Sequence, residues 1–257
     1  AVNELGYNIY IILNKIIYTK RDKDGRLLEI NYNSQDEFFL AESVIQLHIK
    51  KVYHETSKSA IKNTLLHVLK HVKAAVSDWR ATIDLLDKSR SSIVSTGHSP
   101  SEKQEALDLI DWAKDNNFIF LGFSETYFTK NQSSYDFLQK KQANLGIQKI
   151  SDFDDFSNIP KKVFLYNVRP IVIVSKLIAK SPVHRPINLD MIRITIFDDK
   201  LNPTGELRFI GLFTSKLFYQ YAKDIPLIRK KIDYVTKKAN FDPQGHNGKA
   251  LVSILES

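Results

Sequence analysis

"NLDMIRITIFDDKLNPTGELRFIGLFT", residues 188–214, decides how this chain folds. Ile192, Ile194 and Ile196 alternate with Arg193 and Thr195, the period-two pattern of a strand over Asn188–Phe197. Glu206–Thr214 reads as a second strand. "DDKLNPTG" between them is a hairpin loop, with Pro203 and Gly205 as turn residues. Strands joined so closely run antiparallel. Working backward, Pro170–Lys176 is a further strand candidate, stronger than Val163–Asn167, and Phe118–Phe128 is another. Residues 130–160 are polar, with short helical turns at best. This half of the chain is therefore a largely antiparallel sheet with helices at its flanks.

The first half alternates strands with one long helix. Ile9–Tyr18 reads as a strand, Asp24-Gly25 as the tip of a hairpin, and Leu27–Tyr32 as the short return strand. Phe38–Ala41 is a weaker strand candidate. Ile45, Leu47 and Ile49 alternate with Gln46, His48 and Lys50, as in a half-buried strand. Ile61, Leu65, Leu69, Val72, Val76 and Trp79 then recur at three and four residues, giving a helix whose apolar stripe continues toward Leu86 after a break. Residues 89–100 are rich in Ser, Thr, Gly and Pro and read as a linker. Ser99, Pro100 and Glu102 form a helix-start signal, followed by the buried stripe Ala106, Leu109, Ile110 and Ala113. A last helix, Pro226–Lys238, begins at Asp224 and buries Ile225, Ile228, Ile232 and Val235. Asp242-Pro243 and Gly245 break it, and another helix starts near Asn247. The expected organisation is a unit at 1–88, a linker at 89–100, a sheet domain at 101–223 and a helical extension at 224–257.

Composition narrows the chemistry. The chain has no cysteine, which excludes a disulfide scaffold, a Cys-ligated metal and a thiol nucleophile. No apolar run reaches the roughly 20 residues of a membrane helix, and the start lacks a signal-peptide pattern. Ala1 is not an initiator Met, and both ends read as cuts in a longer polypeptide. The formal charge of +8 fits either a nucleic-acid or anionic-membrane surface, or a dispersed solvated surface. The basic clusters are short and carry no aromatic platform, which favours the dispersed surface.

Each catalytic pattern fails on a specific residue. His67 and His71 stand four apart on the long helix, but no Glu follows His67 and both project away from the apolar stripe. In "GHNGKA", Gly245–Ala250, Pro243 stands where a phosphate loop needs Gly and Ala250 where it needs Ser or Thr. There is no G-x-G-x-x-G and no G-x-S-x-G. Asp154-Asp155 and Asp198-Asp199 are sequence neighbours in polar loops and face different ways. His184-Arg185-Pro186 remains. Pro182 and Pro186 force Ser181 and Arg185 to be extended, so the segment is a stiff entry into the next strand. Arg185 can fork onto a carboxylate, Asp190 or that of a partner. Ligand capture and a structural bridge are both open. The bridge is favoured because no nucleophile or second base lies nearby in sequence.

"SPVHRPINLDMIRITIFD", "GELRFIGLFTS", "KDIPLIRKKIDYV" and "NFDPQGHNGKALVSILE" occur in this order, after "AESVIQLHI", "VKAAVSDW" and "DWAKDNNFIFLGF". Together they resemble the very large bacterial NAD-dependent glutamate dehydrogenases, most specifically over Asp111–Phe123 and Leu177–Glu256. Asn14-Lys15 depart from the His-Pro of such proteins. The resemblance implies the N-terminal region ahead of the catalytic domain. The implied fold class is α+β: a partial ACT-like α/β sandwich, then a PAS-like antiparallel sheet flanked by helices. It further implies a non-catalytic regulatory and assembly role, no cofactor in this segment, and NAD in the parent enzyme. Implied partners are the downstream catalytic domain, further copies in a homo-oligomer and an amino-acid effector, with no nucleic acid or membrane, in the cytoplasm. His184, Arg185, Asp190, Arg193 and Arg208 are the candidates for interdomain or ligand contact. The other readings are an independent amino-acid sensor and a nucleic-acid-binding protein.

Overall fold

The computed structural model describes residues 2–32, 38–131, 134–139, 143–150, 170–242 and 244–256. Val163–Asn167, Asp154-Asp155, Pro243 and most of the polar stretch 130–160 lie outside the described residues. The chain divides into two compact units, Ala1–Leu69 and Lys70–Ser257.

In the first unit, β1 (Ile9–Arg21), β2 (Leu27–Asn31) and β3 (Leu40–Ile49) form an antiparallel sheet of order β2-β1-β3. The hairpin tip forms as expected. The Asp22 carboxylate accepts from the Asp24 and Arg26 amides at 2.9 and 2.8 Å, and Gly25 takes φ +80°. Strand β3 takes in Leu40 and Ala41 of the expected fragment Phe38–Ala41 together with Ile45–Ile49, while Phe38 and Phe39 precede it as a turn. Ile45 is not covered: it is 49% exposed. Arg21 and Glu42 clasp β1 to β3 through two parallel bonds, Nε–Oε1 at 2.6 Å and Nη2–Oε2 at 2.8 Å.

Helix α1 runs unbroken from Glu55 to Ser95, which corrects two expectations. The stretch 89–95, expected to be linker, is helical. Its serines bond back along the helix, Ser89 to the Leu86 carbonyl, Ser91 to Lys88 and Ser95 to Ser92, so polar residues stay inside the turn. The buried face also differs from the expected stripe. His71, Ala75, Thr82, Leu86, Ser89 and Ile93 are buried, whereas Val76 and Trp79 are 72% and 51% exposed. His71 therefore faces inward rather than away.

Helix α2 (Pro100–Trp112) starts on the expected capping box, with the Ser99 hydroxyl accepting from the Glu102 amide and the Glu102 carboxylate accepting from the Ser99 amide. A π turn at Ala113–Asn117 leads into the sheet. Strands β4 (Phe118–Asn131), β5 (Ser134–Gln139), β6 (Leu145–Gly146), β7 (Val172–Lys180), β8 (Asn188–Phe197) and β9 (Pro203–Phe213) are all antiparallel, in order β5-β4-β9-β8-β7, with β6 beside β4. The opening stretch is thus the β8–β9 pair, with Asn188–Phe197 as expected. Pro203 and Gly205 lie within β9 rather than in the turn, which Asp198 organises by accepting from the Lys200 and Asn202 amides.

Both sheet faces are covered. Ile192, Ile194 and Phe209 pack with Leu86, Ile93, Leu109 and Ile110. Leu189, Met191, Ile210 and Leu212 pack with Ala75, Leu121 and Ile147. Continuous burial along β8 follows from cover on both sides. Helices α3 (Ile228–Ala239) and α4 (His246–Glu256) follow. Helix α3 starts two residues later than expected, because Leu227 takes φ +68°, outside the helical range.

Candidate functional site

The sequence candidates separate into two groups because side chains alternate along a strand. Asp190 lies on the face opposite Arg193 of β8. Arg193 and Arg208 are direct cross-strand partners on β8 and β9, and Glu206, two residues before Arg208, shares their face.

Arg193, Glu206 and Arg208 are all buried. The Arg208 Nε donates to Glu206 Oε2 at 3.0 Å, and Arg193 Nη1 lies 3.6 Å from Glu206 Oε1. Register sets Ser124 and Thr126 of β4 opposite Arg208 and Glu206, and Thr195 of β8 opposite Glu206. Beyond this polar patch the same face carries Met191 and Ile210. One carboxylate between two buried guanidiniums is an ionic cross-link of three chain positions. Removing one member of such a pair strands the other charge in low dielectric.

Arg185 and Asp190 meet at one residue of β9. Arg185 Nη2 donates to the Phe213 carbonyl at 2.7 Å, and the Phe213 amide donates to Asp190 Oδ2 at 3.2 Å. The expected fork of Arg185 onto Asp190 does not form. Asp190 instead takes Lys176 Nζ at 2.6 Å. The connection is as stiff as two prolines suggested. Ser181 accepts and donates within the turn, and the Arg185 amide reaches the Val183 carbonyl at 2.8 Å, a three-residue turn centred on His184 at φ +65°. The His184 side chain is exposed.

Two further polar assemblies escaped the sequence reading. Glu105 and Asp108, one turn apart on α2, both receive Arg229 of α3. Arg229 Nε and Nη2 reach Glu105 at 3.0 and 2.8 Å, and Nη2 also bonds Asp108. Glu105 accepts the Leu227 amide at 2.6 Å as well. The Glu105 bond, then that to Asp108, pushes the Arg229 guanidinium above its ordinary range. For Asp108, the Gln104 amide bond and the Arg229 guanidinium outweigh burial and hold the carboxyl below its usual value. Beside this clamp lies a cavity of about 190 Å³, lined by Glu102, Glu105, Pro170, Ile171, Leu227 and Lys230. The second assembly is a relay: Trp112 Nε1 donates to Gln220, which donates to Asn117, each at 2.8 Å. The clamp's only signal in the sequence is an acidic pair one turn apart on a helix and a basic run at Arg229–Lys231 more than a hundred residues later, and nothing local pairs the two.

The polar side chains brought together in this way bind backbone or one another across elements. Among the described residues, no three His, Asp or Glu side chains are grouped to hold a metal ion, and no helix is long and apolar enough to cross a membrane.

Comparison with known proteins gives the frame for this geometry. Residues 1–65 match the model "Glutamate dehydrogenase, ACT1 domain", and residues 225–257 match "Glutamate dehydrogenase, helical motif 1". The NAD-specific glutamate dehydrogenase of Halomonas elongata is 28% identical over 268 residues. That of Pseudomonas aeruginosa is 29% identical over 266 residues. Each alignment covers 99% of this chain and 16% of the longer protein. The resemblance read from the sequence therefore holds: this chain is related along nearly its whole length to the NAD-specific glutamate dehydrogenases, and it spans 16% of the length of the curated relatives it matches.

Proposed function

We propose that this chain is a regulatory and assembly segment of an NAD-specific glutamate dehydrogenase, lying ahead of the catalytic domain. The parent polypeptide would oxidise L-glutamate with NAD and water, giving 2-oxoglutarate, ammonium and NADH. The observation that carries the reading is the similarity along 99% of the chain to only 16% of two such enzymes. The match of residues 1–65 to an ACT1 domain supports a regulatory role for the first unit. We further propose that residues 1–88 are ACT-like, that 101–223 form a PAS-like sheet, and that 224–257 lead to the next domain. In this reading His184, Arg185, Asp190, Arg193 and Arg208 serve interdomain or ligand contact, the exposed His184 directly and the other four by fixing the sheet domain in the shape its neighbours need, and NAD binds elsewhere in the parent. An amino-acid effector, a homo-oligomer and a cytoplasmic setting belong to the same proposal.

The carboxylates and guanidiniums of the sheet unit support a structural use. Arg185 and Asp190 hold one peptide of β9, and Glu105 holds the first turn of α3. Groups committed to backbone are not disposed to move protons on a substrate. The test is NADH formation at 340 nm from glutamate and NAD. The 257-residue chain alone should give no turnover, while the full polypeptide containing it does. Glutamate-dependent NADH formation by the chain alone would overturn the proposal.

A further inference from the structure

Helix α1 carries a second stripe, distinct from the one it buries. Val72, Val76, Trp79 and Ile83 are spaced four, three and four residues apart, the heptad period of a helix–helix seam. Val72, Val76 and Trp79 are 38%, 72% and 51% exposed, and only Ile83 packs into the core. The buried residues His71, Ala75, Thr82, Leu86, Ser89 and Ile93 repeat at the same spacing one position earlier, about a quarter-turn away.

The same line continues along α1 to Asp87, Arg90 and Val94, and there α2 reaches it through polar side chains, with Val94 itself still exposed. Lys114, just after α2, pairs with Asp87 at 2.6 Å, Asp111 of α2 pairs with Arg90 at 2.5 Å, and Lys103 of α2 donates to the Val94 carbonyl at 2.8 Å. Helix α2 thus runs antiparallel beside this line and stops at Trp112, and among the described residues Val72, Val76 and Trp79 of the earlier turns stay exposed. Over the later turns the neighbour is a helix, whose Asp111 meets the α1 cation Arg90 while Lys114 just after it meets the α1 carboxylate Asp87.

Charge selects the occupant. No Asp or Glu occurs between Glu55 and Asp78. Asp78 is turned inward, to the Gly146 amide and Lys149 at 2.7 Å each. Lys73 and Arg80 stand one heptad apart beside the seam, with Lys70 beyond them and one carboxylate, Asp84, a turn after Arg80, all exposed. An antiparallel second copy centred at Val76–Ser77 would set Lys73 against Arg80, like against like. A bilayer calls for a broad apolar face, whereas this stripe is two positions wide, bounded by the buried face on one side and cations on the other.

We propose that the Val72–Ile83 face of α1 is the seat of an acidic amphipathic protein helix. Its apolar residues would follow the heptad period, and its carboxylates, seven residues apart, would meet Lys73 and Arg80. The test uses the 257-residue chain and a fluorescein-labelled 21-residue probe helix with Leu at the two seam positions and Glu at the flanking positions. Glu–Glu repulsion keeps the free probe from pairing with itself. Fluorescence anisotropy should show saturable binding that weakens at least tenfold from 50 to 500 mM NaCl. The same peptide with Lys for Glu should bind at least tenfold more weakly. Val76→Asp, an exposed change that leaves the melting temperature unaltered, should abolish binding, and Lys73→Glu with Arg80→Glu should reverse the preference between peptides. Equal binding of both peptides, or binding untouched by Val76→Asp and by the charge reversal, would overturn the proposal. So would absence of peptide binding, with either phosphatidylserine vesicles or a second copy of the chain captured through this face instead.

Discussion

Single residues in this chain are constrained most tightly where strands touch. A Cβ added at Gly211 on β9 would lie 1.9 Å from the Ile119 carbonyl oxygen and 2.6 Å from the Phe118 ring. Neither can retreat, because one is backbone in the paired strand β4 and the other is buried in the core. Gly211→Ala should therefore cost about 3 kcal/mol, as overpacking does when the neighbours are fixed. Urea unfolding checks it, and a loss below about 0.5 kcal/mol, the range of neutral surface changes, contradicts it. Sequence alone could not identify this glycine, since "FIGLF" offers only an interrupted strand. His184 was the more visible residue, yet it sits exposed at the apex of its turn. Its neighbour Arg185 is committed to the Phe213 carbonyl.

At the scale of elements, local signals were legible wherever they specified their own geometry. The Ser99–Glu102 capping box, the Asp24-Gly25 tip and the alternation in β8 each became the expected structure. Helix α1 was misread because hydrophobic spacing identifies an apolar stripe but not which stripe is covered. Ala75, Thr82 and Ser89 pack inward because they are small enough for close approach to the sheet unit's core, while Val76 and Trp79 remain outside. The β1–β3 pair carries a pH signature. The Arg21 bond, then that from Thr19, lowers the Glu42 carboxyl from 4.5 to about 2. A carboxyl depressed in the folded state stabilises fully above its unfolded value and loses that contribution as pH falls toward the folded one. Glu42→Gln should thus lower the urea midpoint at pH 7, with the gap from the parent closing as pH falls from 4.5 to about 2. A gap that stays constant over that interval would rule out the ionic clasp.

Across the whole molecule, cohesion rests on contacts between distant positions. Arg229 reaches Glu105 and Asp108 across more than a hundred residues of chain. Arg229→Ala should speed amide exchange in the first turn of α3 about tenfold and leave β8 and β9 unchanged, the mark of a local opening. Equal acceleration throughout the sheet would place the clamp in the global fold instead. This level was the least legible in sequence. An acidic pair on one helix and an arginine at the start of another do not announce each other, and the Trp112–Gln220–Asn117 relay is equally silent.

Strand order has a consequence in time as well as space. Strand β4 lies between β5 and β9, and its long central partner, β9, begins only at Pro203. A ribosome adding about 5–20 residues per second takes on the order of ten seconds to make the intervening chain. Throughout that interval Phe118, Phe120 and Phe123 belong to a strand whose principal neighbour has not yet been synthesised. The β8–β9 hairpin, whose pairing is local, can form as soon as it emerges, whereas the sheet closes only when β9 finds β4. Until then the aromatic edge of β4 is the nascent chain's point of exposure to misassociation.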